Sequence, residues 1–349
     1  MGEEDRQGRH RIPQEGAEEA GTAQGGTEGR CQVTRSPLDR IDPSSPIRKH
    51  AAWYMQSLRS SARSKATIGV YVGALREFDR FAAANGMPRD LTQIERQHVE
   101  AFMLDQLTRL SPGSAAARYG GLRSFFAWAV EQGQIDSSPI AKMRPPKVPE
   151  VPVPVLTDDQ VRALLRACEG KAFKQRRDTA LIRFMLDTGA RRSEVAFVRL
   201  TDLDLSEGTV VITKTKGNRP RVVAFGAKTA SAIYAYLIER DKNTHASSPF
   251  LWIGQAGGLS GDAVGAIVAR RARMAGIYNL DADGRQRPVH AHQTRHTFAD
   301  RYLAAGGSEG NLMALGGWRS AEIMRRYGRD RATARAIDEA RRIAVGDRL

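Results

Sequence analysis

TVVITKTKGNRPRVVAF, residues 209–225, holds two runs of β-branched residues, TVVIT and RVVAF, around a turn-forming KTKGNRP. Such runs favour the pleated, half-buried surface of a strand, and Gly-Asn with Pro between them breaks the chain. The segment is read as a β-hairpin with Lys214 and Lys216 at its tip. It is the clearest strand signal in the chain. Most of what surrounds it has helical spacing: 157–167, 175–187, 227–241, 260–275, 294–305, 308–315, 320–327 and 331–344. Thr157-Asp158-Asp159-Gln160 opens this region with a capping-box pattern. Residues 157–349 are therefore expected to form a mixed α+β domain with a small antiparallel sheet.

Upstream, MRPPKVPEVPVPV (143–155) places five prolines in thirteen residues. Proline fixes φ and lacks an N–H, so 143–156 is read as a stiff linker. Residues 44–142 precede it. Trp53, Met55 and Leu58, then Ile68, Tyr71, Val72, Leu75, Phe78 and Phe81, recur at three- and four-residue spacings. Val99, Phe102, Met103 and Leu107 continue the pattern, as do Leu122, Phe125, Phe126, Ala129 and Val130. A bundle of roughly four or five helices follows. Residues 1–43 have almost no large apolar side chains and are read as a disordered tail. The fold class is thus mainly α, in two domains.

Among the 349 residues, formal net charge is +15. The tail holds nine acidic and six basic residues, leaving 48 basic against 30 acidic for the rest. Such a surplus on folded sequence favours a polyanionic partner, nucleic acid above membrane. No apolar run approaches the roughly 20 residues of a membrane span, and no signal-peptide pattern opens the chain, so a cytoplasmic location is expected. Cys31 and Cys168 form neither a C-x-x-C pair nor a zinc spacing. No phosphate-cradling Gly-rich loop is present, and Asp281-x-Asp283-Gly reads as a turn rather than a calcium loop. Asp202 and Asp204 lack the companions a two-metal site requires.

Four segments of the second domain carry candidate chemistry: TGARRSEVAFVRLTDLD (188–204), the hairpin tip, HAHQTRHTFAD (290–300) and LGGWRSAEIMRRYGR (315–329). Between 285 and 329 there are eight arginines, three histidines and only three acidic residues. Singly, each has a bland reading: a surface arginine, a packing tyrosine, a core tryptophan, a solvated lysine. Together, in this order and at these internal spacings, they resemble the tyrosine recombinases, the phage integrase family. KATIGVYVGALREFDRFAAANG and GGLRSFFAWAVEQGQIDSSPIAK are similar to that family's SAM-like core-binding domain.

The resemblance implies roles. Arg191 in T-G-x-R matches the first catalytic arginine, and Glu194 the acidic residue three positions on. Lys216 in K-G-N-x-x-R matches the hairpin lysine, His292 and Arg295 the H-x-x-R pair, and Tyr327 the nucleophile. Trp318 stands where histidine is usual, a change some members share. An indole only donates a hydrogen bond, so a bond to phosphate is expected there in place of acid–base chemistry. His296 is expected to support the site from behind. Double-stranded DNA is the implied partner, with Arg63, Lys65, Thr67, Arg118 and Arg123 as candidate contacts. A tetramer on two DNA sites is implied, the final helix docking on a neighbour through Ala332, Ala336, Ile337, Ala340, Ile343 and Ala344. No cofactor or metal is implied. The alternatives are a type IB topoisomerase, which relaxes DNA without exchanging partners, and a non-catalytic DNA-binding regulator.

Overall fold

A computed structural model describes residues 36–149, 154–215, 219–281 and 284–318, with the isolated positions 337, 341, 343 and 344. The chain divides into two compact units, Met1–Pro149 and Glu150–Leu349. The division falls inside the proline-rich stretch.

The first unit has four helices among its described residues: α1 (Pro46–Ser60), α2 (Lys65–Ala84), α3 (Arg96–Arg109) and α4 (Pro112–Glu131). Serine starts three of them. Ser45, Ser64 and Ser111 each accept a backbone N–H of the first turn, and Pro46 and Pro112 follow the cap directly, where proline's fixed φ suits a helix start. The apolar stripes meet in a core rich in aromatic rings. Tyr54 packs edge-on to Phe125, Phe125 stacks on Trp128, and Phe78 and Phe102 meet at 5.4 Å. The one polar atom that Tyr54 carries inward is satisfied by Ser124 at 2.7 Å. Buried carboxylates lie at the edge: Asp79 receives Arg89 and Ser45, and Glu77 receives Arg76 and Arg80.

The second unit begins with α5 (Asp158–Arg166), capped by Thr157 and Gln160 as the sequence predicts. Next come α6 (Phe173–Thr188), α7 (Arg192–Ala196), β1 (Leu203–Asp204), β2 (Thr209–Ile212), β3 (Arg221–Ala224) and α8 (Ala227–Arg240). The chain continues through β4 (Ile253–Gly254), β5 (Gly257–Gly258), α9 (Gly261–Met274), β6 (Tyr278–Leu280), β7 (Gln286–Pro288), α10 (His292–Ala304) and α11 (Glu309–Gly316). The expected hairpin is β2–β3, in register Val210↔Val223 and Val211↔Val222, with the short β1 added at its edge. Val210, Ile212 and Val223 turn inward while Val211 and Val222 face out, the alternation a half-buried sheet requires.

Helix α6 runs through the core, burying Leu181, Ile182, Phe184 and Met185 beside Trp252 and Tyr236. Its Asp178 is fully enclosed and takes Arg177 on one oxygen and Arg270 and Arg271 on the other. Arg240 is also enclosed, donating to the carbonyls of Leu251, Ala246, Ser248 and Phe250. Among the described residues, no helix is long and apolar enough to cross a membrane.

Candidate active site

Helix α6 stops at Gly189, which adopts φ +59°. A side chain there would also strike the Phe298 ring, 2.2 Å from an added Cβ, so glycine is needed both for the left-handed turn and for the close approach. Two residues on, Arg191 is the extended N-cap of α7. Glu194 occupies the third helical position and reaches back to the Arg191 backbone N–H at 2.9 Å and to its Nη1 at 2.9 Å. The three-residue spacing of these two residues is thus a capping box closed by an ion pair. Glu194 is buried and also receives Arg221 of β3, Nη1 at 3.2 Å and Nη2 at 2.7 Å. Burial opposes its ionisation, but the hydrogen bonds and charge of Arg221, aided by Arg191, outweigh it and hold the carboxyl below its ordinary value.

Helix α10 begins at His292, two residues earlier than its sequence pattern predicts. That start puts His292, Arg295 and His296 on one face, because positions three and four apart are neighbours on a helix. Arg295 is 1% exposed. It donates from Nη1 to Gly189 O and from Nη2 to Gly316 O, both at 2.7 Å, and its guanidinium lies 3.7 Å over the Trp318 ring. The His292 and His296 rings meet edge to face at 4.4 Å. Desolvation, reinforced by Arg295, His290 and Arg191, pushes His292 down to about 4 although part of its surface meets solvent. Desolvation and the neighbouring His292, His290 and Arg295 push the buried His296 down to about 3. Both imidazoles are neutral at pH 7.

The end of α11 gathers these groups. Leu315 O accepts Arg221 Nε at 2.6 Å, Gly316 O accepts Arg295, and Gly317 O accepts Arg191 Nη2 at 3.4 Å. Three consecutive carbonyls thus take three arginines from α7, β3 and α10. The last carbonyls of a helix have no intrahelical partner and carry its negative dipole end, so cations suit them. Gly316 is forced by the fold: an added Cβ would lie 1.7 Å from the Trp318 ring.

Residues 154–333 match the model of the phage integrase family, and 52–133 match that of the phage integrase N-terminal SAM-like domain. The chain belongs to the phage integrase family, the tyrosine recombinases. The tyrosine recombinase XerC of Xanthomonas campestris pv. campestris is 31% identical over 243 residues, which are 69% of this chain and 71% of that protein. A lambda integrase fragment, solved as a dimer bound to a COC′ core site, has the same fold with a TM-score of 0.64 at 18% identity, covering 81% of this chain and 95% of that one. A lambda integrase tetramer bound to a Holliday junction gives 0.61 at 17% identity, over 78% and 77% of the two chains.

Arg191, Arg295 and Trp318 of this recombinase meet at the turn 315–318, with Glu194 bonded to Arg191 and with His292 and His296 on the face of α10 that carries Arg295. Trp318 is buried with Phe298, Leu303 and Leu312, and its ring face carries Arg295. Lys216, Tyr327 and most of 331–344 lie outside the described residues. Lys214, its neighbour in the hairpin, sits with Nζ 3.3 Å over the Phe197 ring.

In the first unit Arg63, Lys65 and Arg123 are exposed. Thr67 pairs its hydroxyl with the Ser64 cap at 2.9 Å, and Arg118 turns inward, 3.9 Å from Glu77. Asp204 organises a turn by accepting Ser206 and Glu207, and Asp202 caps a 3-10 turn through Arg199. Among the described residues no cluster of three or more His, Cys, Asp or Glu could hold a metal.

Two features escape the sequence reading. Arg221 is one; only its place in K-G-N-x-x-R hints at it. The other is a reciprocal amide pair, Asn279 with Gln293, bonded both ways at 2.8 Å. Gln293 also accepts the His290 N–H, which ties the β6–β7 hairpin to the start of α10.

Proposed function

We propose that this recombinase cleaves and rejoins duplex DNA at specific sites through a 3′-phosphotyrosine on Tyr327, without metal or ATP. The observation that carries this reading is the convergence of Arg191 and Arg295 on the turn that precedes Trp318, nine residues before Tyr327, with His292 on the same face of α10 as Arg295. The Tyr327 phenolic oxygen attacks phosphorus, the bond to the 5′-oxygen breaks, and Lys216 gives that oxygen its proton. A phenol near pKa 10 needs help to lose its own proton, and neutral His292 has the acceptor nitrogen to assist. Charge grows on the non-bridging oxygens in the transition state, and offsetting it is usually the largest catalytic contribution. Arg191 presents its guanidinium partly to solvent. Arg295 is enclosed, so its approach to a phosphate requires the Gly316 turn to yield. The ester retains the bond energy, and a 5′-hydroxyl from a second strand reverses the step.

Both units contribute to DNA binding in this reading. Arg63, Lys65 and Arg123 meet phosphates, Thr67 acts through the α2 start, and Arg118 has to leave Glu77 to take part. Exchange between two sites calls for a tetramer, assembled through residues 331–344 on a neighbouring protomer. Nucleoid DNA in the cytoplasm is the setting.

Covalent trapping tests the reading. Nicked, labelled duplexes from DNA flanking the gene are incubated with the protein in excess EDTA, beside Tyr327→Phe, and resolved on denaturing gels. An adduct that disappears in the mutant is expected. An adduct that survives the mutation removes Tyr327 as nucleophile, and strict metal dependence sinks the metal-free chemistry.

A further inference from the structure

We infer that Arg221 is a positioning residue for strand cleavage, joining β3 to the Arg191–Glu194 pair and to the turn at 315–317. The inference rests on the recombinase chemistry proposed above and adds a residue to it. The Arg221 side chain is 10% exposed. Its two terminal nitrogens engage the two oxygens of Glu194, and its Nε engages Leu315 O at 2.6 Å. One planar fork therefore bridges three separate segments: strand β3, helix α7 and the end of α11. A lysine, with a single point charge, cannot span both the carboxylate and the carbonyl.

The groups Arg221 holds are those that set up the reaction. Glu194 orients Arg191, and the 315–317 turn also receives Arg191 and Arg295. Arg221 lies five residues after Lys216 and pairs with Ile212 in the hairpin ladder, so a shift of the hairpin is felt at Glu194 and at the turn together. There is an electrostatic consequence as well. With Arg221 present, the trio of Arg191, Glu194 and Arg221 carries net +1. Without it, Glu194 is left to neutralise Arg191 alone, and the field offered to a phosphate weakens where charge develops.

Arg221→Gln and Arg221→Lys in the full chain test this through single-turnover cleavage of a nicked duplex at rising protein concentration. Arg221→Gln is expected to lower the maximal rate by about 100-fold, while the half-saturating concentration stays within about threefold. Arg221→Lys is expected to recover only part of the rate. Because the Arg221–Glu194 contact is lost in either single variant, the double variant Arg221→Gln with Glu194→Gln should lose less than the product of the two single losses. In Arg221→Gln, Glu194, now facing only Arg191, should take up a proton more readily and add an acid limb to the rate profile, which Glu194→Gln removes.

A maximal rate within about threefold of wild type overturns the inference. So do effects that multiply in the double variant, or losses of rate and binding that follow the folded fraction alone. If Arg221→Gln does not fold, Arg221→Lys carries the same comparison. A wild-type protein without a Tyr327-dependent adduct overturns the functional reading instead, so the two failures are separable.

Discussion

The two units hold their interiors together by different means. In the first, rings meet rings: Tyr54, Phe78, Phe102, Phe125, Phe126 and Trp128 form its centre, and the ion pairs sit at its margin. In the second, an apolar core of similar kind is threaded by enclosed guanidinium groups, those of Arg177, Arg240, Arg271 and Arg295, each under a tenth exposed. Apolar contact has no direction, so it fixes a bundle's shape while tolerating exchange of one filler for another. A guanidinium bonded at several nitrogens fixes where particular carbonyls and carboxylates lie. The unit that must place reacting groups uses the directional kind.

The strongest test of that contrast is Asp178→Asn. It removes the countercharge shared by Arg177, Arg270 and Arg271, and the second unit should lose about 3–5 kcal/mol, seen as a lower urea midpoint by tryptophan fluorescence. A loss of under about 1 kcal/mol would erase the distinction between the units.

Arg295→Lys comes next. It keeps the charge but cannot hold Gly189 O and Gly316 O together, and adduct formation should slow by roughly 10²–10³-fold. A near-normal rate would mean that the charge, not the fork, matters.

The histidines give a smaller, pH-dependent effect. Their folded pKa values, about 4 for His292 and about 3 for His296, lie below the ordinary 6.5. Between pH 6.5 and the folded values the unfolded chain binds more protons, so stability falls as pH drops from 7 toward 4. Thermal melts of the second unit should show this slope, and His296→Gln should flatten it more than His292→Gln, because His296 is the more enclosed. Equal slopes in wild type and His296→Gln would refute the assignment.

The least effect is expected in the ring-packed unit. Phe125→Leu should cost about 1–1.5 kcal/mol and leave the cleavage rate of bound DNA unchanged, as measured by denaturation and adduct kinetics.

Where side-chain pattern and structure speak the same language, the fold was legible. The apolar spacing of 68–81 became α2, the β-branched alternation of 209–225 became β2–β3, and the prolines of 143–155 contain the point where the two units divide. The strands β1, β4, β5, β6 and β7 run two or three residues, too few for any period to show. In the site, Arg191, Glu194, His292 and Arg295 were named through their resemblance to a family motif, and the structure pairs Arg191 with Glu194 at the start of α7 and sets His292 and Arg295 on one face of α10. Arg221 was not, since an arginine on a strand reads as solvated until Glu194 and Leu315 arrive from elsewhere in the chain. Asn279 depends in the same way on Gln293. The packing of Trp318 against Phe298, Leu303 and Leu312, with Arg295 over its ring, was not legible, because those neighbours meet it only once α10 and α11 have folded together.

The carbonyls of Leu315, Gly316 and Gly317 have one further consequence. An acceptor that belongs to the main chain cannot be deleted by changing a codon, as a glutamate or an asparagine can. Altering residue 315 or 317 can shift the three oxygens but not abolish them. A variant that has lost its arginine geometry through backbone displacement is therefore open to repair by second-site changes that move the turn back, whereas a variant lacking Glu194 has no such route.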